Sequence, residues 1–242
     1  MNYVSDNLNR MIRSYTEKKE SFPIFLIKLY SFQVARALNY IHSLHICHRD
    51  IKPQNILIDP STNRVYLCDF GSAKILHNDE NNVLYICSRY YRAPELILGK
   101  IDYNEKIDIF AAGCIIAELF TLTPLFPGKT EGLQIFEHMF LLGNPGKEYF
   151  SKFGLPKNYV EYFDSVKIRG IDKFDELLNE DGYYDKKETK NAADLILNML
   201  KWDINKRYSA EQCLEHPFLS SKGKDITPKY DTPYVGKENI MQ

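Results

Sequence analysis

His48-Arg49-Asp50-Ile51-Lys52-Pro53-Gln54-Asn55 runs directly into the apolar triplet Ile56-Leu57-Ile58, and after Asp59-Pro60-Ser61-Thr62-Asn63 the chain continues Val65-Tyr66-Leu67-Cys68-Asp69-Phe70-Gly71. Two short runs rich in β-branched and aromatic residues, separated by turn formers, predict an antiparallel hairpin. Antiparallel pairing sets the start of one strand beside the end of the other. Asn55 and Asp69 therefore meet at one end of the ribbon, roughly 5 Å apart at the backbone. In isolation, an Asp and an Asn at such places would serve as turn or cap residues.

Working outward, Ser21 and Pro23 are good helix starters. Ile27, Tyr30, Val34, Leu38 and Ile41 then recur at steps of three and four, which predicts a long amphipathic helix ending near His45. Asp108 to Phe120 is apolar almost all round and reads as a central helix, whereas Leu133 to Leu142 is amphipathic. Residues 143–188 mix Gly, Pro, aromatic and charged residues, the pattern of an insert of loops and short helices. Helical spacing returns at Ala192, Leu195, Ile196, Met199 and Leu200 and again from Ser209 to Leu214. Residues 220–242 are polar without an apolar period and read as a flexible tail. The fold class expected is mainly α with one short β-hairpin.

The 242 residues, 44% of them apolar, allow one substantial core, and a net charge of −1 gives no general attraction to nucleic acid or anionic membrane. Cys47, Cys68, Cys87, Cys114 and Cys213 show neither zinc-ligand nor disulfide spacing, which favours a reducing compartment. The first residues lack a secretory pattern, and Ile107 to Phe126 carries Asp108, Glu118 and Pro124, which suits a core helix better than a bilayer span. The expected location is cytoplasmic, with the nucleus also open. His42, His45, His138 and His216 show no partner pattern and read as surface or capping residues.

Three stretches carry a family resemblance: residues 46–55, residues 67–74, and Tyr85-Ile86-Cys87-Ser88-Arg89-Tyr90-Tyr91-Arg92-Ala93-Pro94-Glu95. They resemble the catalytic loop, magnesium loop and activation segment of a serine/threonine protein kinase, most closely of the glycogen synthase kinase-3 family. The resemblance covers about residues 1–219. It implies that Asp50 accepts the substrate hydroxyl proton, Lys52 steadies the transferring phosphoryl group, and Asn55 and Asp69 hold Mg2+ on ATP. It places Tyr3 and Val4 in the adenine-binding hinge, Leu57 beneath the adenine and Gln54 near the ribose.

Further implications follow from the same likeness. Arg49 and Lys74 match two of the three residues that hold the priming phosphate of an already phosphorylated protein substrate. Tyr85 matches the activation-loop tyrosine, with Arg89 and Arg92 placed to receive its phosphate; a plain packing role for Tyr85 is the alternative. Glu95 and Arg207 are implied to form a buried ion pair, and Asp108 to fix the catalytic-loop backbone, where a simple helix-start charge is the other reading. His48 and Phe70 are implied to pack internally. Phe110 stands where most of the family has Trp, and Asp203-Ile204 replaces the common Asp-Pro. The insert at 143–188 falls where this family binds scaffold proteins, although it differs in sequence there.

No glycine precedes Gly71, and Lys18, Lys19 and Lys28 lie in no strand of the phosphate-gripping kind. The expectation is thus a C-terminal lobe over residues 1–219 without the N-terminal β-sheet lobe. Two functions compete: the catalytic lobe of a protein kinase, or an inactive binding module that competes for substrates or regulators of an intact kinase.

Overall fold

The computed structural model of the chain describes Val4 and residues 6–76 and 86–220. Tyr3, Tyr85 and the tail beyond Ser220 lie outside the described residues. Three strands form one small antiparallel sheet: β1 (Asp6–Asn7), β3 (Ile56–Asp59) and β4 (Arg64–Leu67), with β3 in the middle. The expected hairpin is β3–β4, in register Ile56 to Leu67 and Asp59 to Arg64. Its turn is built by Asp59, whose carboxylate accepts from the Ser61 N–H, the Ser61 hydroxyl and the Thr62 hydroxyl. A second antiparallel pair, β2 (Ile46–Cys47) with β5 (Lys74–Ile75), brackets the catalytic stretch. Strands of two residues leave too little periodicity to read from sequence.

The helices are α1 (Leu8–Lys18), α2 (Ile24–Ser43), α3 (Pro94–Ile97), α4 (Lys106–Thr121), α5 (Glu131–Leu142), α6 (Lys147–Ser151), α7 (Lys157–Ser165), α8 (Phe174–Leu177), α9 (Lys186–Met199) and α10 (Ala210–Glu215). Helix α4 is the axle. Every residue from Ile107 to Phe120 is buried, and α4 packs against α2 on one side and α9 on the other. Each fully buried Ile, Leu or Phe contributes roughly 1.5–3 kcal/mol relative to exposure, which makes this stripe the main source of cohesion.

Helix α1 has no counterpart in the sequence reading. The Asn7 side chain caps it by accepting the Arg10 N–H at 3.0 Å, and it buries Leu8 and Ile12, with Met11 and Tyr15 packed beside them, in a mostly charged and polar run. The insert forms short helices, as expected, around a smaller cluster of Leu98, Ile135, Met139, Phe150 and Val160. Asn144 ties it together by donating to the carbonyls of Phe163 and Val166, both at 2.7 Å. Gly143 and Gly170 touch back to back at positive φ, and a Cβ on Gly143 would come within 2.7 Å of the Arg169 carbonyl oxygen. Only glycine fits there.

Candidate active site

The catalytic stretch is hung from α4. Asp108, in the first turn of that helix and 1% exposed, accepts the His48 N–H at 2.8 Å and the Arg49 N–H at 2.9 Å. His42 of α2 meets the same carboxylate at 3.0 Å. Burial acts to raise the Asp108 carboxyl, but His42 and the two backbone donors bring it below its ordinary value, so it stays ionised. This clamp holds Arg49 at φ 66, a left-handed backbone that a free Arg would seldom adopt. The implied backbone-fixing geometry of Asp108 is therefore present, rather than a bare helix-start charge.

Arg49 at that angle turns the chain so that Asp50 faces the hairpin end. The Asp50 carboxylate accepts from Lys52 Nζ at 2.6 Å, Asn55 Nδ2 at 3.1 Å and the Ser88 hydroxyl at 3.0 Å. Burial alone would raise its pKa; the Lys52, Ser88 and Asn55 donors outweigh this and lower it. Asn55 also donates to the Asp50 carbonyl at 2.9 Å, which leaves its own Oδ1 without a hydrogen-bond partner among the described residues. Ser88 escaped the sequence reading. Its N–H and hydroxyl reach Asp50 across 38 residues, and no local spacing signals such a contact.

Opposite, the Cys68 N–H donates to the Asn55 carbonyl at 3.0 Å, continuing the ladder and setting Asp69 one residue beyond the ribbon end. Asp69 sits at φ 62, and no hydrogen bond or ion pair among the described residues takes up its carboxylate. The residues fit magnesium by donor chemistry: one unengaged carboxylate and one free amide oxygen at a single ribbon end, with open valences left for phosphate oxygens. His48 is fully buried and meets the Cys68 carbonyl at 3.0 Å, as expected of a packing residue. Phe70 departs from expectation. Its ring lies 4.7 Å from His48, yet the residue is 39% exposed, because nothing among the described residues covers its outer face.

Val4 is half-buried, Leu57 is half-buried with Asn7 and Tyr66 as its strand neighbours, and Gln54 is exposed, donating to the Asn9 side chain at 3.2 Å. Lys74 lies on β5 opposite Cys47, and Arg49 follows two residues after the end of β2. The Arg49 guanidinium is already engaged, by the Ser72 carbonyl and the Tyr103 hydroxyl. Arg92 is 5% exposed and held by the Ile86 and Cys87 carbonyls and Glu131, so it braces the segment. Arg89 donates to the Lys129 carbonyl at 2.7 Å.

The Glu95–Arg207 pair has the implied form, bidentate at 2.6 and 2.9 Å and at most 1% exposed, with further Arg207 bonds to the Lys201 and Lys106 carbonyls. The Phe110 ring lies 5.1 Å from the guanidinium and stacks on Phe126, so the smaller aromatic still lines the pair. Two histidines, His42 and His138, contradict the surface or capping reading, whereas His216 is the C-cap of α10. His42 serves Asp108. His216 meets Asp194 at 2.8 Å, and His138 is fully buried among Phe110, Phe126 and Trp202, its pKa pushed down to about 3 by burial and by Arg207. Of these four, His45 alone is exposed.

A proton-accepting carboxylate under a lysine, beside two oxygen donors on one hairpin end, is an arrangement suited to phosphoryl transfer. The family model of the protein kinase domain matches residues 1–219, and the chain belongs to that family. Its likeness is to the glycogen synthase kinase-3 branch. It is 45% identical over 218 residues to glycogen synthase kinase 1 of Pyricularia oryzae, covering 90% of this chain and 52% of that protein. It is 39% identical over 242 residues to protein kinase gsk3 of Schizosaccharomyces pombe, covering 95% of this chain and 60% of that protein. A second fission-yeast relative, protein kinase gsk31, is 44% identical over 219 residues, 90% of this chain and 55% of that protein. The chain thus spans little more than half the length of these relatives.

Proposed function

We propose that the chain is the catalytic lobe of a serine/threonine protein kinase that moves the γ-phosphoryl group of ATP onto hydroxyls of protein substrates. The observation that carries this reading is the convergence of Asp50, Lys52 and Asn55 on one cluster beside the unengaged Asp69. Asp50 takes up the hydroxyl proton, its orientation fixed by Asn55 and Ser88. Lys52 stands against the same carboxylate and turns its charge to the phosphoryl oxygens. Bound magnesium, held by Asn55 and Asp69, would neutralise phosphate charge.

In this reading residues 1–219 form one lobe, with Val4, Gln54 and Leu57 under the nucleotide and Tyr3 in the hinge. A glycine-rich cover for the phosphates comes from outside the 242 residues. Primed substrates follow from Arg49 and Lys74, two of the three cations the family uses, and Tyr85 is the regulatory tyrosine. Scaffold proteins at the insert and a cytoplasmic or nuclear location belong to the same proposal. Among the described residues no helix is long and apolar enough to cross a membrane.

A chimera joining this chain to the residues preceding the matched region of the fission-yeast gsk3 protein tests the reading. Transfer of labelled phosphate to a primed serine peptide, abolished by Asp50→Asn, is the expected result. A folded chimera that transfers nothing would refute it. The competing reading, a non-catalytic module that binds kinase substrates or regulators, draws on the exposed Phe70. Phosphate transfer by the chain itself would eliminate that one.

A further inference from the structure

On the side of the lobe formed by helix ends, a cavity of about 670 Å³ opens between α1, α4, α5 and the segment that follows α8. None of its lining residues belongs to the candidate active site. Its floor is apolar, with Phe120, Leu125, Leu141 and Leu178. Two large aromatics stand on its lip with little to touch: Phe140 is 60% exposed and Tyr183 is 61% exposed.

The electrostatics of the opening are one-sided. The C-terminal ends of α1 and α4 reach the cavity through Lys19 and Leu122, which places the negative ends of two helix dipoles beside it, while α5 lines it with Glu137, Phe140 and Leu141. The lining adds Glu20, Glu137, Glu180 and Asp181 against the single cation Lys19. No hydrogen bond or ion pair from the described residues takes up any of these four carboxylates, although the chain as a whole is nearly neutral at −1. A half-open cleft lined mainly by one sign of charge concentrates that field. Charge and apolar floor together select an occupant that is cationic and apolar at once.

We propose that this cavity is a docking site for a basic segment of a partner protein, an arginine- or lysine-bearing stretch with bulky apolar side chains between its charges. The cations meet the helix ends and the four carboxylates, and the apolar side chains cover the floor. Phe140 and Tyr183 close over the stems and can receive a guanidinium on their faces. A free polyamine satisfies the charge but leaves both aromatics uncovered, which is why a peptide is the occupant chosen.

The test is fluorescence anisotropy on the 242-residue chain with a fluorescein-labelled heptapeptide, Gly-Arg-Leu-Arg-Leu-Arg-Gly, and with a copy carrying Glu for Arg. Saturable binding of the basic peptide only, weakened about tenfold in Glu137→Lys/Glu180→Lys and about fivefold in Phe140→Ser, is the expected result. Lys19→Glu should tighten binding about threefold, a gain that misfolding cannot produce. Failure of the basic peptide to saturate would overturn the proposal, as would equal binding of the acidic copy or indifference to all three variants. Equal affinity for spermine together with no effect of Phe140→Ser would overturn the peptide assignment.

Discussion

The catalytic loop and the Asp69 loop sit side by side at one end of the β3–β4 hairpin, yet they are held in opposite ways. Residues 48–55 are wired from behind by Asp108 and from within by Asn55, with Asp50 saturated by Lys52, Ser88 and Asn55. Asp69 has only its backbone fixed; its carboxylate is unengaged and Phe70 next to it is open to solvent on one face. The contrast suits the two tasks proposed for these residues: a group that accepts a proton must be aimed before substrate arrives, whereas a metal ligand is aimed by the metal it binds.

If preorganisation is built from buried charge, removing it should damage the fold, and removing Asp69 should not. The largest effect is expected behind the loop, at the pair that ties α3 to the segment after α9. Arg207→Leu leaves Glu95 buried and unpaired and should lower stability by about 3–5 kcal/mol, read as a urea midpoint shift. Asp108→Asn should cost about 2–3 kcal/mol, since one oxygen cannot serve both the His48 and Arg49 N–H groups, and amide exchange at those two positions should quicken.

A third variant probes a buried acid outside the site. Glu118 lies 4% exposed with only the Tyr91 hydroxyl at 2.8 Å, and burial, against that hydrogen bond, raises its pKa from 4.5 to about 7. Between those values the native state keeps a proton that the unfolded chain has lost, so stability falls as pH rises through the window and levels above it. Glu118→Gln should remove this loss and gain about 2–3 kcal/mol at pH 8 while matching the parent near pH 4, as denaturation at the two pH values will show. The smallest stability effect is expected for Asp69→Asn, within about 0.5 kcal/mol by the same urea assay, because no hydrogen bond or ion pair among the described residues uses that carboxylate.

Much of this organisation was legible in sequence because it is local. The hairpin, the all-round apolar α4 and the stripe of α2 each declare themselves within a dozen residues, and Asn55 and Asp69 follow from the register of one ribbon. The family resemblance added Asp108 and the Glu95–Arg207 pair, which span 60 and 112 residues and leave no local trace. What escaped shares one physical character. Ser88, His42 and His216 act through single long-range contacts, and α1 is a mostly polar and charged helix made stable by its Asn7 cap and two buried side chains. The bracing contacts of Arg92 were hidden for the same reason, since two of its acceptors are backbone carbonyls that only the folded segment assembles.

The most direct test of the half-wired site is an NMR titration of the 242-residue chain with ADP and Mn2+, the paramagnetic ion standing in for magnesium. Selective broadening of the amides of residues 50–55 and 69–71, lost in Asp69→Asn while the rest of the spectrum is unchanged, is the expected result. Broadening centred elsewhere, or undiminished in that variant, would contradict the assignment of Asn55 and Asp69 as one metal seat beside Asp50.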